Sequence, residues 1–282
     1  MNTFSVIKVL NNNVLIAADT EGQEVVLIGK GIGFNSKKND PIAKETVEKL
    51  FVLRNENEQE NYKKLVNDID EDTLNAIVSG VEIIKKRSQS MLNESVHVAL
   101  TDHIVFAITR LLKGMAIRNP FLLETKALYP GEYEIAAEVV DFINQSLDIN
   151  LPEGEVGFIA LHVHSAITDS TLSEINRYSQ LVTKLIGVIE EQFRMEIDRE
   201  SIDYIRLIRH LRYTIERVMN DERLEEPKKI ADLLKKEYPS CYNLSWKLVK
   251  IMQQTLKKQV YDAEAVYLTM HLQRLSEKIE TY

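Results

Sequence analysis

The chain has 282 residues, of which 44% are hydrophobic and 28% are charged, a composition typical of globular proteins and a length sufficient for two or three domains. No apolar run approaches the roughly 20 residues that cross a bilayer, and the N-terminal sequence lacks the pattern of a secretory signal, so we expect neither membrane insertion nor secretion. The single cysteine, Cys241, excludes an intramolecular disulfide and indicates a reducing compartment, the cytoplasm.

The net charge of −8 is distributed unevenly along the chain. Residues 1–55 carry seven Lys and Arg and six Asp and Glu, for a net charge of +1, and the remaining residues carry −9. An acidic body disfavours indiscriminate binding to nucleic acid, but the near-neutral first segment leaves a local nucleic-acid site possible.

Residues 1–55 predict a small all-β domain. Four segments rich in β-branched residues, FSVIKVL, VLIAADT, EVVLIGKG and LFVLRN, are separated by turn sequences such as NNN and DTEGQ. Four strands in about 55 residues lie near the lower limit for an independent core, so this domain would gain stability by dimerising. The next segment, NENEQENYKK, is polar apart from Tyr62, and we assign a linker to residues 56–66.

From residue 61 onward the periodicity of the apolar residues is helical, and strand signals are essentially absent. The predicted helices span 61–69, 71–90, 94–113, 119–128, 131–147, 153–168, 172–195, 198–220, 226–237, 241–258 and 261–279. The predicted fold class is therefore multidomain α+β, a small all-β domain followed by all-α bundles.

The helical part is a duplication. LTDHIVFAITR at residues 100–110 aligns with LIRHLRYTIER at residues 207–217, and in both halves a Tyr-Pro pair precedes a second histidine by 33 residues. A glutamate, Glu155 or Glu264, precedes that second histidine by seven residues. The alignment predicts two bundles, residues 67–170 and 171–282, with four histidines in equivalent positions: His103, His162, His210 and His271.

The duplicated histidines leave several interpretations open. They can be structural residues copied with the core, or metal ligands, although neither half has short-spaced ligands of the HExxH type, and we predict no metal and no cofactor. They can be catalytic, although no phosphate-binding glycine loop, nucleophile elbow or Ser/His/Asp arrangement appears, and we expect no enzymatic activity. They can also accept phosphoryl groups, because neutral imidazole is a nucleophile near pH 7 and a phosphate adds about two negative charges.

The residues beside the histidines differ between the halves. Asp102 precedes His103, whereas His210 is surrounded by cations. We therefore expect phosphorylation to stabilise an assembled state through the second bundle and to destabilise it through the first, unless these arginines only form surface ion pairs. The candidate partners for a phosphate are Arg206, Arg209 and Arg212, together with the equivalent pair Arg110 and Arg217. His97 and His164 have no counterpart in the second half and are assigned no role.

Within the β-rich segment, the loops NNN and GKGIGF have the residue types of an RNA-binding site. Glycines permit a close approach of the backbone, lysines contact phosphates, phenylalanine stacks on a base and asparagine can bond a base edge. The candidate residues are Lys8, Asn13, Gly29, Lys30, Gly31 and Phe34. The alternative is a glycine hairpin with solvated lysines.

The strings KVLNNNV, GKGIGF, LTDH, NPFLLETKALYP, EGEVGFIALH, IRLIRH and EAVYLTMH occur in this order. With them the chain resembles the BglG/SacY family of transcriptional antiterminators over its whole length, and in detail the glucose-type branch. The resemblance implies a co-antiterminator RNA-binding domain at residues 1–55, acting as a homodimer on a leader-mRNA hairpin that excludes an overlapping terminator. It also implies that Lys8, Asn13, Gly29, Gly31 and Phe34 contact RNA, with Lys30 where many members have arginine.

The resemblance further implies that the bundles are two phosphotransferase-system regulation domains with His103, His162, His210 and His271 as the modified residues. The sugar-specific enzyme II, here the glucose permease, would inactivate through the first domain, and the phosphocarrier HPr would act on the second. Two other classes of protein stay open as alternatives. One is a metal-dependent helical phosphohydrolase, and the other is a DNA-binding activator with the same regulatory domains, for which the strand-rich head lacks the required helix-turn-helix.

Overall fold

The computed structural model describes residues 3–10, 12–47, 49–52, 65, 69–88, 95–115, 118–168 and 170–277, apart from the side chains of residues 49, 51, 52 and 95–97. Except for Leu65 and residue 69, the predicted linker at 56–66 and the predicted helix at 61–69 lie outside the described residues. The chain divides into two compact units, one of Met1–Asn119 with Gly131–Ser170 and one of Pro120–Pro130 with Thr171–Tyr282.

The first unit begins with an antiparallel sheet in the order β4-β1-β2-β3-β5. The strands are β1 (Thr3–Val9), β2 (Val14–Ala18), β3 (Glu24–Ile28), β4 (Pro41–Ala43) and β5 (Lys49–Val52). The four predicted segments all form strands. The three-residue β4 was missed because its sequence, PIA, is too short for an alternating pattern and starts with proline, which edge strands tolerate.

Both faces of the sheet are buried, which explains why β2 and β3 are continuous apolar runs. One face, including Leu15 and Leu27, packs against Ile32 and Ile42 from the same β-rich segment. The opposite face is covered by the helix that begins at Glu71, and partly buried hydrophobic side chains pack against the same cluster. Its four fully buried sheet residues, Val14, Ile16, Val26 and Ile28, cluster with Leu74 and Val78 of that helix.

The covering helix is α1 (Glu71–Ser88), and α2 (Ser95–Leu112), α4 (Pro130–Leu147) and α5 (Glu153–Thr168) complete the first unit. Asp70 caps α1 by accepting hydrogen bonds from the backbone N–H and the hydroxyl of Thr73, and these bonds lower the pKa of the Asp70 carboxyl. Gly80 lets α1 approach α4, because a Cβ at this position would lie 3.1 Å from Cγ1 of Val139.

The second unit contains α3 (Leu122–Leu128), α6 (Leu172–Phe193), α7 (Ile202–Met219), α8 (Lys228–Glu237), α9 (Pro239–Leu256) and α10 (Asp262–Glu277). Although α3 precedes α4 in the chain, it packs against α6 and α7. A capping box between Thr171 and Glu174 starts α6, and the Ser201 hydroxyl caps α7. None of the described helices has the length and apolar character needed to cross a membrane. The predicted fold class, a small β domain followed by helical bundles, is confirmed.

Candidate functional site

Two helices bring the first pair of predicted histidines together. His103 lies on α2 and His162 on α5, and their ring centroids are 5.0 Å apart. Phe158, one turn before His162, lies 5.7 Å from the His103 ring. His162 is buried, whereas 16% of the His103 side chain is exposed, so the pair forms a small aromatic cluster that reaches the surface through His103.

A buried carboxylate holds the ring of His103. Oε2 of Glu155 lies 2.9 Å from Nε2 of His103, and Oε1 accepts a hydrogen bond of 3.0 Å from Nη2 of Arg110. Glu155 and His162 are two helical turns apart on α5 and therefore share a face. Because an ionised carboxylate only accepts hydrogen bonds, Nε2 of His103 carries a proton, and Nδ1 is the ring nitrogen left for attack on phosphorus.

The second unit repeats this arrangement with one change. The rings of His210 on α7 and His271 on α10 have centroids 4.8 Å apart. Glu264 accepts two hydrogen bonds from Arg217, at 2.9 and 3.0 Å, and one of 2.6 Å from the hydroxyl of Thr214. Its Oε2 lies 3.5 Å from Nε2 of His210, so this ring is held less tightly than that of His103. The first half has Ala107 in the position of Thr214, which explains the difference.

Burial keeps three of the four histidine rings neutral, those of His162, His210 and His271. It lowers the pKa of His162 to about 3, with a further contribution from His103, and it lowers the pKa of His210 to about 3, with contributions from His271 and Arg217. Burial also lowers the pKa of His271, and Arg274 and Arg206 act in the same direction. At neutral pH these imidazoles are therefore uncharged, which is the form that can attack phosphorus.

The low pKa values predict a specific dependence of stability on pH. An imidazole in the unfolded chain takes up a proton near its ordinary pKa of 6.5, whereas folded His210 stays neutral down to about 3. The contribution of His210 to the free energy of unfolding is therefore complete above pH 6.5, and it decreases as the pH falls from 6.5 toward 3. We expect His210→Gln to reduce this fall by up to about 1.4 kcal/mol per pH unit in urea unfolding between about pH 6 and 4, and an unchanged slope would contradict the assignment.

The five arginines proposed as partners for a phosphate occupy three kinds of position. Arg110 and Arg217 are bound to the buried glutamates. Arg206 is exposed, lies 3.7 Å from Asp203, and is close enough to affect His271. Arg209 is exposed, and Arg212 donates hydrogen bonds to the carbonyl of Leu128 and to Glu216.

Five of the six predicted RNA-binding residues lie in the two loops that precede β2 and follow β3, which are joined by hydrogen bonds, and Lys8 lies on β1. The backbone N–H of Gly29 donates to the carbonyl of Asn13 at 3.0 Å, and the N–H of Gly31 donates to Oδ1 of Asn13 at 2.7 Å. Gly31 has a φ of +69°, a conformation that favours glycine. Phe34 is 67% exposed, and Lys8 and Lys30 are also exposed. Asn13 differs, since only 5% of it is exposed.

Some functional candidates were not assigned from the sequence. Glu155 and Glu264 each precede a histidine by seven residues, and this recurrence is the signal in the sequence for their role. His164 pairs with Glu132, with 2.8 Å between Nδ1 and Oε1. Glu71, which contacts Asn13, has no signal in the sequence, because the two residues meet only through tertiary packing. Among the described residues, no three His, Cys, Asp or Glu side chains are grouped closely enough to hold a metal ion.

Family models match three stretches of the chain. A family model described as "CAT RNA binding domain" matches residues 4–60, and one described as "PRD domain" matches residues 79–166 and again 183–275. The chain is 54% identical to the "PtsGHI operon antiterminator" of Bacillus subtilis (strain 168) over 277 residues, which covers 98% of this chain and 99% of that protein. It is 40% identical to the "GlcA/glcB genes antiterminator" of Staphylococcus carnosus (strain TM300) over 282 residues, covering 99% and 98% of the two chains. A solved structure titled "Crystal structure of GlcT CAT-PRDI" matches with a TM-score of 0.54 and 52% identity, covering 59% of this chain and 99% of that one.

Proposed function

The chain belongs to the BglG/SacY family of RNA-binding transcriptional antiterminators, and on that premise we propose that residues 1–55 bind, as a dimer, a leader-mRNA hairpin upstream of a glucose phosphotransferase-system gene. The bound hairpin excludes the overlapping terminator, so transcription continues into the gene. The protein would act in the cytoplasm. The domains we propose are 1–55 for RNA binding, 56–66 as linker, and 67–170 and 171–282 for regulation. Two findings support the glucose system as the target, the names of the two relatives and their identity over almost the whole chain.

The regulatory part of the proposal depends chiefly on one observation, a pair of adjacent histidine rings beside a buried Glu–Arg pair that occurs in both bundles. We propose that His103, His162, His210 and His271 accept phosphoryl groups, from the glucose-specific enzyme II in the first bundle and from HPr in the second. In the transfer to His103, Nδ1 attacks the phosphorus of the donor's phosphorylated residue. One bond to phosphorus forms at Nδ1 while the bond between phosphorus and the donor residue breaks, and the proton stays on Nε2, where it is hydrogen-bonded to Glu155.

The charge around each acceptor supports opposite effects of the two modifications. A phosphate on His103 would enter a site that holds Glu155 and, beside it in the sequence, the exposed Asp102. The guanidinium of Arg110 is already bound to Glu155 there. Arg217 is bound to Glu264 in the same way, so the difference at His210 comes from other cations. Arg209 is its neighbour in the sequence, and Arg206 lies close to the paired His271.

The RNA-binding part can be tested at Phe34, whose side chain is largely exposed. Stacking on a base is worth about 1–3 kcal/mol, so Phe34→Ala is expected to weaken binding of the full chain to the ptsGHI leader transcript of Bacillus subtilis by about 5- to 150-fold. Phe34→Trp keeps an aromatic face and serves as the matched control in the same titration. Equal affinity of the alanine variant and the wild type would contradict stacking at this position.

A further inference from the structure

The side chain of Asn13 is already occupied by contacts within the chain. Its Oδ1 accepts a hydrogen bond from the backbone N–H of Gly31 at 2.7 Å, and its Nδ2 donates to Oε1 of Glu71. Glu71 is the first residue of α1 and thus comes from the part of the chain that follows the linker. The only amide in the proposed set of RNA contacts is therefore bound on both ends, and one partner is a carboxylate from the regulatory part.

This arrangement conflicts with the recognition of RNA by Asn13. An asparagine that identifies a base edge uses its oxygen as an acceptor and its nitrogen as a donor at the same time. Glu71 takes one of the two N–H groups of Nδ2, and only 5% of Asn13 is exposed. The negative charge of Glu71 would also repel a phosphate of RNA that approached Asn13. A cleft of about 340 Å³ opens here, lined by Gly29 and Lys30 from the loop and by Asn75 and Ser79 from α1, so a ligand entering it meets both sides.

Packing fixes the start of α1, the helical turn that carries the exposed Glu71. Leu74, one turn further along α1, is fully buried against the sheet with Val78, and the Asp70 cap fixes the start of the helix. The same helix packs against α2, which carries His103. α1 is thus in contact with both the RNA-binding sheet and the helix of the first acceptor histidine, and a displacement of α1 moves Glu71 relative to Asn13.

From these contacts we infer that Glu71 competes with RNA for Asn13, so that α1 holds the RNA-binding loop in a low-affinity state until Glu71 is released. The inference rests on the proposed RNA-binding function and adds to it a regulatory residue. Release of Glu71 frees the N–H of Asn13 that it holds and removes a negative charge from the rim of the cleft. The hydrogen bond from Gly31 uses one of the two lone pairs of Oδ1 and keeps the side chain oriented, so it does not by itself prevent Oδ1 from accepting a hydrogen bond from a base. Both changes raise the affinity for RNA.

The test compares two variants of the full chain that lose the same charge from the same helical turn. Glu71→Ala removes the contact, and Asp72→Ala removes the exposed neighbouring carboxylate, with an equal effect on the helix dipole and on long-range attraction of RNA. With the ptsGHI leader transcript of Bacillus subtilis as the probe, Glu71→Ala is expected to bind about tenfold more tightly than Asp72→Ala, the effect of one hydrogen bond to a charged group. Glu71→Gln, which keeps an acceptor, should show a smaller gain.

Two further measurements separate the possible outcomes. The gain should disappear in an Asn13→Ala background, and the side-chain amide resonances of Asn13 in ¹⁵N spectra should shift in Glu71→Ala but not in Asp72→Ala. If the wild-type chain binds no leader RNA at all, the proposed function fails and this inference fails with it. If the wild type binds but Glu71→Ala binds no more tightly than Asp72→Ala, the inference alone is wrong. Weaker binding by Glu71→Ala would show that Glu71 prepares Asn13 for RNA instead of blocking it.

Discussion

Glu155→Ala is expected to reduce the free energy of unfolding of the first unit by about 3–5 kcal/mol, because it leaves the buried guanidinium of Arg110 without its carboxylate. The same change frees the ring of His103 to rotate and to change its tautomer, so phosphoryl transfer to His103 should also slow. Stability is measured by urea unfolding followed by circular dichroism, and transfer is measured with the phosphorylated donor protein.

Glu132→Ala provides a matched control for this prediction. It removes a second carboxylate that pairs with a histidine of the same bundle, His164, but leaves no buried arginine without a partner. Its expected cost is about 1–2 kcal/mol, the loss of one hydrogen bond to a charged group. In addition, the double change Glu155→Leu with Arg110→Met should recover most of the stability, because apolar residues can replace a buried ion pair at little cost. If the two single costs simply add in a double-mutant cycle, the pair is not coupled and the prediction is wrong.

His103→Asp and His210→Asp are expected to change RNA affinity in opposite directions, each by about tenfold, a coupling free energy of about 1.4 kcal/mol. An aspartate at position 103 places a second carboxylate in the site of Glu155, whose cationic partner is already bound. At position 210, Arg217 is likewise bound to Glu264, but the arginines near His271 add positive charge that an aspartate can pair with. The first variant should therefore loosen the assembled state and the second should stabilise it.

The neutral substitutions His103→Asn and His210→Asn control for loss of the imidazole ring. Sedimentation equilibrium reports the association of the subunits, and titration with the leader transcript reports RNA affinity. A shift of both aspartate variants in the same direction would contradict the assignment of opposite roles to the two bundles.

The histidine pairs were predictable from the sequence because a duplication repeats both the residues and their spacing. Periodicity placed His103 and His162 on separate helices, and the equal spacing of 33 residues from each Tyr-Pro pair matched the second histidine of each half. Helix boundaries were also close. The largest error at a helix start is in α7, which was predicted from residue 198 and begins at Ile202, because the hydroxyl of Ser201 caps it while Asp198 forms a local turn.

The contacts between distant segments were not predictable. The role of Glu155 depends on the geometry between α2 and α5, and the association of α3 with α6 and α7 depends on packing that no local pattern encodes. The burial of Asn13 is the clearest case. Its position in an asparagine-rich turn indicates an exposed residue, and only the approach of α1 to the sheet makes it inaccessible.

The cover that α1 provides for the sheet limits how such proteins can be recombined. Four apolar side chains of β2 and β3 meet Leu74 and Val78 across this face, so the two surfaces have to match in shape. A chimera that takes its β domain from one relative and its helical bundles from another would have mismatched packing between the sheet and α1, unless α1 is exchanged together with the β domain. Crossover points after Ser88 should therefore give better-folded hybrids than crossover points in the linker. Substitutions in the sheet and in α1 at this contact are also expected to occur together during divergence.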